Sequence, residues 1–193
     1  MLYAAPHELN EAFRSRDFSS HEISAVSCVP PNPTKKWTTY VLVGFWESHH
    51  IEVLLLTSAD SYLTTLCKTS PLPSLPRSVL LYNFGGDGEG DDHLSLLAGL
   101  SDGSLACFLF KDNDLSIQKI ISFGDAPVTL TACEVEDKRA VFACGSKAVM
   151  LFWDKERFHH SPVLLKVGNH GFSSLSLTDT LLGRHFVLTP QHS

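Results

Sequence analysis

Three stretches of this 193-residue chain repeat one pattern in different residues: an apolar run, a glycine, a short polar break and a second apolar run. Val41-Leu42-Val43-Gly44 leads to Ile51-Glu52-Val53-Leu54-Leu55-Leu56. Leu96-Leu97-Ala98-Gly99 leads to residues 104–110, and Phe142-Ala143-Cys144-Gly145 to residues 148–153. The glycines stand 55 and 46 residues apart. A self-similar period of that size, made of strand-like runs with no helical pattern between them, points to the blades of a β-propeller.

Each unit reads out to four strands. The first spans 23–29, 39–46, 51–57 and 62–68; the second 78–84, 94–100, 104–110 and 116–123. The third spans 128–135, 140–144, 148–153 and 163–167, and a further unit opens at 172–177. Val, Ile, Leu, Phe and Thr fill these runs, and Pro, Gly, Asp and Ser separate them, which is the signature of strands and turns. Asp102-Gly103 between two apolar runs has the chemistry of a tight hairpin, whose central residues take positive φ. Pro30-Pro31-Asn32-Pro33, residues 71–76 and residues 85–92 read as loops between strands.

The predicted fold is therefore all-β: a partial β-propeller of about three four-stranded antiparallel blades plus part of a fourth. The blades occupy residues 21–182. Residues 1–20 are expected to be a remnant of a preceding blade or an irregular segment, and 183–193 a tail. Three blades do not close a ring, so the chain reads as part of a larger propeller: a truncated gene model, a split gene product, or a fragment that docks on missing blades. Its two end blades are expected to present apolar faces to water.

A net charge of −6 with scattered Lys and Arg provides no basic stripe for tracking phosphates. No apolar run approaches the 18 residues or so of a membrane helix, and residues 1–10 lack the basic and apolar regions of a signal peptide. The five cysteines include no C-x-x-C pair and lie mostly in strand runs, the usage of reduced, buried thiols in a cytosolic or nuclear protein.

Four motifs invite sharper chemistry. Gly99-Leu100-Ser101-Asp102-Gly103 spells the G-x-S-x-G of a serine-hydrolase elbow, but the elbow requires a helix after the serine, and the following residues read as a strand. Asp87-Gly88-Glu89-Gly90-Asp91-Asp92 resembles the start of a calcium loop. Its sixth and twelfth positions hold Asp92 and Ala98 where Gly and Glu are needed, so a solvated acidic loop is expected. The pairs His49-His50 and His159-His160 have no further ligand at zinc-site spacing, and neighbours on a strand face opposite ways. Phe152-Trp153-Asp154 matches the Trp-Asp of WD repeats in one unit only, which suits a ring packed between blades. No catalytic residue, metal or cofactor is expected.

Residues 21–177 resemble the family of large multi-propeller proteins that includes the large subunit of the UV-damaged-DNA-binding complex. The large subunit of the cleavage-and-polyadenylation factor and the matching subunit of splicing factor 3b belong to it too. The resemblance is carried by His21-Glu22-Ile23-Ser24, Val43-Gly44-Phe45-Trp46, Leu75-Pro76-Arg77-Ser78-Val79-Leu80-Leu81, residues 97–103 and Val141-Phe142-Ala143-Cys144-Gly145-Ser146. It implies a non-catalytic scaffold in the nucleus, and also the cytoplasm, acting in DNA repair and ubiquitination. Its partners would be a cullin-4 type scaffold and substrate receptors, with nucleic acid reached only through the larger complex and no membrane involved. The alternative branch is a scaffold of mRNA 3′-end processing or splicing. In the family, a Glu just before one strand and a Trp ending the next are associated with cullin docking; Glu22 and Trp46 stand at those places. Trp46 either presents its ring on a rim or packs it between blades.

Overall fold

The computed structural model describes residues 4–5, 8–9, 22–57, 63–85, 94–135, 138–155, 157–168, 171–179 and 184–188, with side-chain surroundings between 22 and 163. Every regular element among them is a strand. β1 (Ala4–Ala5) and β2 (Glu8–Leu9) form a short ladder. β3 (Ile23–Ser27), β4 (Tyr40–Phe45), β5 (Ile51–Leu56) and β6 (Leu63–Lys68) form the first blade in sequential antiparallel order. β7 (Pro76–Asn83), β8 (Leu94–Leu100), β9 (Ser104–Lys111) and β10 (Asp114–Ser122) form the second. β11 (Thr129–Val135), β12 (Lys138–Cys144), β13 (Ala148–Asp154) and β14 (Arg157–Gly168) form the third, and the same sheet continues through β15 (Gly171–Asp179) and β16 (Arg184–Leu188). The all-β blade reading of the sequence holds.

One boundary moves. The outer strand of the third blade was expected at 163–167, where apolar residues crowd. The ladder instead pairs Asp154 with Arg157 and Val149 with Pro162, so β13 is closed by the first half of β14. Lys155, at φ 48°, sits in the left-handed region and turns the chain back at once. The run 163–167 lies in the second half of β14, which pairs with β15, so the strand expected at 172–177 to open a fourth unit is hydrogen-bonded to the outer strand of the third.

Blade-to-blade packing makes the core. Leu42, Ile51 and Val53 of the first blade meet Val79, Leu81, Leu96, Ala98 and Phe108 of the second. The opposite face of the second blade, with Leu80, Tyr82, Leu97, Leu105 and Cys107, meets Val141, Ala143, Val149 and Leu151 of the third. Each fully buried Leu contributes about 1.5–3 kcal/mol of apolar transfer, so these two seams hold the blades together. Trp153 packs on the second seam with its ring against Phe158 at 4.7 Å, as expected of an inter-blade ring. The outward faces of the first and third blades are covered at their centres, contrary to the expected exposure: Val43, Phe45 and Leu54 are buried on one, Val135, Ala140 and Met150 on the other.

The repeated glycine has a packing reason at all three places: a Cβ on Gly145 would come within 2.9 Å of the Ala126 carbonyl oxygen. A Cβ on Gly44 would come within 3.0 Å of Pro76 Cγ, and one on Gly99 within 2.2 Å of the Val128 carbonyl oxygen. Both positions lie on the second strand of a blade, where the chain entering the next blade crosses over it. Gly145 differs in register alone: Ala143 pairs with Val149 as Gly99 pairs with Leu105, and Gly145 falls in the turn beyond. Asp102-Gly103 forms the expected hairpin turn between β8 and β9, with Gly103 at φ +82°.

Candidate protein-docking rim

Alternating strand directions give the arc two rims. One carries the β4–β5, β8–β9 and β12–β13 turns and the connections from blade to blade. On it, β3 and β4 are extended by one pair beyond their strand ends: the Trp46 N–H donates to the Glu22 carbonyl at 2.8 Å. The two sequence-predicted site residues are thus neighbours at the end of the first blade. Glu22 is exposed, and the Trp46 side chain is 46% exposed at the start of the turn and belongs to none of the buried clusters.

The turn that presents Trp46 is braced on every side. Phe45 N–H donates to the His50 carbonyl at 3.1 Å, closing the loop, and His49 absorbs the reversal at φ 52°. The His50 ring stacks on Phe45 with centroids 4.6 Å apart, and its nitrogens lie 2.6 Å from Ser48 Oγ and 3.2 Å from Glu52 Oε1. The connection to the second blade is laced to the same place: Leu72 N–H donates to the His49 carbonyl at 2.9 Å, and Ile51 N–H donates to Thr69 Oγ1 at 3.0 Å. A rigid support of this kind lowers the ordering cost of using an exposed indole as a contact.

The same rim joins the later blades through backbone. Ser101 N–H donates to the Leu75 carbonyl, Phe123 N–H to Gly103 and Val128 N–H to Leu100, at 2.9–3.1 Å. Ser146 Oγ donates to Asp125 Oδ1 at 2.7 Å, which holds the Asp125 carboxyl below its usual range.

The G-x-S-x-G stretch forms no elbow: strand β9 follows it, and Ser101 Oγ lies 2.6 Å from Ser74 Oγ. His159 and His160 sit next to each other on β14, opposite Phe152 and Leu151, and His49 and His50 are absorbed in the turn just described. No group of three or more His, Cys, Asp or Glu is placed to hold a metal ion among the described residues. His21 and the acidic stretch 87–92 lie outside the described residues. Cys107 is buried, and desolvation pushes its thiol up to about 12. Cys28 and Cys144 are exposed and Cys67 and Cys133 half-buried, so fewer of the thiols are buried than expected; Cys144 ends β12, in line with the strand reading of 140–144.

Trp37 was passed over in the sequence. It is 70% exposed on the opposite rim, in the loop between β3 and β4. That loop is pinned across all three blades: Asn83 N–H donates to the Pro31 carbonyl at 2.9 Å, and the Arg139 guanidinium donates to Asn32 Oδ1 at 3.1 Å and to the Gly85 carbonyl. The run Lys35-Lys36-Trp37 after a proline turn was the signal available.

These stacked four-stranded sheets define a β-propeller. The chain matches the RSE1/DDB1/CPSF1 second beta-propeller model over residues 3–185 and belongs to that family. It is 27% identical over 159 residues to DNA damage-binding protein 1 of Drosophila melanogaster, which covers 81% of this chain and 13% of that protein. It is 28% identical over 167 residues to the protein of the same name in Oryza sativa subsp. japonica, with 83% and 14% covered. A chromatin modification-related protein of Schizosaccharomyces pombe, rik1, is 30% identical over 87 residues, covering 45% of this chain and 8% of that one. The chain thus spans a small fraction of the length of the relatives it matches. Among solved structures, that of a Bacteroides uniformis protein described as a candidate 6-phosphogluconolactonase superposes with a TM-score of 0.54 at 9% identity, over 95% of this chain and 60% of that one. At that identity the likeness concerns the fold.

Proposed function

We propose that this chain is a non-catalytic protein-interaction scaffold of the damaged-DNA-binding branch, whose Trp46 rim docks the N-terminal domain of a cullin-4 type ubiquitin-ligase scaffold. The observation that carries the reading is the braced, exposed Trp46 joined to Glu22 by a backbone hydrogen bond. Exposed aromatic anchors on rigid supports dominate the energy of many interfaces. Similarity to proteins named DNA damage-binding protein 1 supports the repair branch over mRNA 3′-end processing or splicing. Substrate receptors would join through other parts of the assembly, and the setting would be the nucleus, with a share in the cytoplasm. Among the described residues no helix is long and apolar enough to cross a membrane.

The test is binding of a cullin-4 N-terminal domain to the complete propeller carrying Trp46→Ala. Association is expected to weaken by roughly 2 kcal/mol or more, the usual threshold for a hot spot, with the strand content unchanged and Glu22→Ala showing a smaller loss. Undiminished binding by a folded Trp46→Ala propeller removes Trp46 from the interface. Capture of polyadenylation or splicing factors in place of the cullin moves the protein to the other branch.

A further inference from the structure

The seam between the second and third blades opens outward into a cavity of about 320 Å³ lined by Gln118, Lys119, Trp153, Arg157 and Phe158. Its construction starts from an irregularity in β10. The register shifts between Ile117 and Lys119, leaving Gln118 as an inserted residue. On a regular strand Gln118 and Lys119 would point to opposite faces; the bulge lets both line one cavity, a device that recurs where a side chain must be re-aimed. The opposite wall is the end of the β13–β14 hairpin. Trp153 and Phe158 face each other across that ladder, their rings edge to face, and both rest on the inter-blade core. Arg157 follows directly from the tight turn at Lys155.

The charged side chains among the described lining residues are both cations. Among the described residues neither Lys119 nor Arg157 has a carboxylate in an ion pair, although Asp154 lies across the ladder from Arg157. Two cations with no ion pair among the described residues, beside two aromatic rings on a chain of net charge −6, make a local site for an anion that carries an apolar group. We propose that this cavity binds a short acidic segment of a partner protein, with a carboxylate held between Lys119 and Arg157 and an adjoining apolar side chain against Trp153 and Phe158. A peptide fits better than a nucleic acid because the described lining holds two cations, Lys119 and Arg157, and the overall negative charge repels a long polyanion. The exposed positions of Gln118, Lys119 and Arg157 leave room for a chain to enter and leave. The site lies on a different seam from the Trp46 rim and does not depend on it.

The probe is a short peptide of alternating Glu and Phe, titrated into the full chain carrying ¹⁵N-labelled tryptophan. The Trp153 indole N–H resonance is expected to move, while those of Trp37 and Trp46 stay in place. Reversing both charges, Lys119→Glu with Arg157→Glu, is expected to weaken binding by roughly tenfold or more, the loss of two charge-assisted contacts. Both side chains are exposed, so far-ultraviolet circular dichroism should be unchanged. The proposal falls if a Gln-Phe peptide binds equally well, if the double variant binds as before, if Trp153 does not respond, or if oligothymidylate binds more tightly than the peptide.

Discussion

The second blade and the first have the same four-stranded plan but different surroundings. All seven residues of β8 are buried, Ser95 among them, because a neighbouring blade covers each face. In β3, at the free edge of the first blade's sheet, no residue is fully buried, and Val26 is 59% exposed. A strand buried on both faces reads as a continuous apolar run, and one covered on a single face alternates. Position within the sheet, central or edge, more than strand propensity, decides how much of each sequence is used as core: the edge strand β10 of the second blade leaves Ile117 56% exposed. It also decides which backbone positions tolerate a side chain.

The largest expected effect is in thiol reactivity. Cys107 lies in the second blade's inner seam and Cys28 beyond the end of β3 in the first. A buried thiol reacts only when its surroundings open. Under native conditions Cys107 should modify with a maleimide roughly a thousandfold or more slower than Cys28 or Cys144, corresponding to about 4 kcal/mol of opening free energy. Mass spectrometry of partially labelled chain measures the ratio. Comparable rates for Cys107 and Cys28 would show that the seam between the second and third blades is not held closed.

The register-equivalent glycines sharpen the same contrast. Gly99→Ala would drive a methyl group into the backbone of Val128, which cannot move without shifting the entry to the third blade. Gly44→Ala meets first the side chain of Pro76, at a distance that a small adjustment relieves. Overpacking of the first kind costs typically 1–3 kcal/mol, occasionally more, and Gly44→Ala should cost about 1 kcal/mol or less. Urea unfolding of the two variants compares them directly. Equal losses would mean that the central crossing is no tighter than the first.

The repeat and its hairpins were legible because they are local: apolar runs, Asp-Gly chemistry and proline breaks are all written in consecutive residues. Glu22 and Trp46 were found through resemblance, and nothing in their immediate sequence indicates that a backbone hydrogen bond brings them together. The start of β14 was missed because Arg157-Phe158-His159-His160 looks polar, while its pairing is set by the turn at Lys155 and by the fit of Phe158 against Trp153. The cavity at Gln118 was beyond sequence reading for a similar reason. A bulge depends on the register of two strands and is not visible in either alone.

The smallest effect tests the outer side of the seam between the second and third blades. Partial burial is the main cause holding the His160 imidazole below its usual value, and the nearby charges of Lys119 and His159 act in the same direction; its ring lies 6.1 Å from that of Phe123. A histidine with a lowered folded-state value binds its proton more readily when unfolded. As pH falls below about 6.5 the unfolded chain therefore takes up the proton first, and stability declines until the folded value is passed. Above pH 6.5 the group is neutral in both states and contributes no slope. Wild type is expected to lose slightly more stability between pH 7.5 and 5.5 than His160→Asn, by a fraction of a kcal/mol because the side chain is exposed and solvent screens it. Lys119→Gln should reduce the difference by removing one of the charges that disfavour protonation. Denaturant titrations at the two pH values measure it, and identical losses in wild type and His160→Asn would show that His160 is as free to protonate in the folded chain as in the unfolded one.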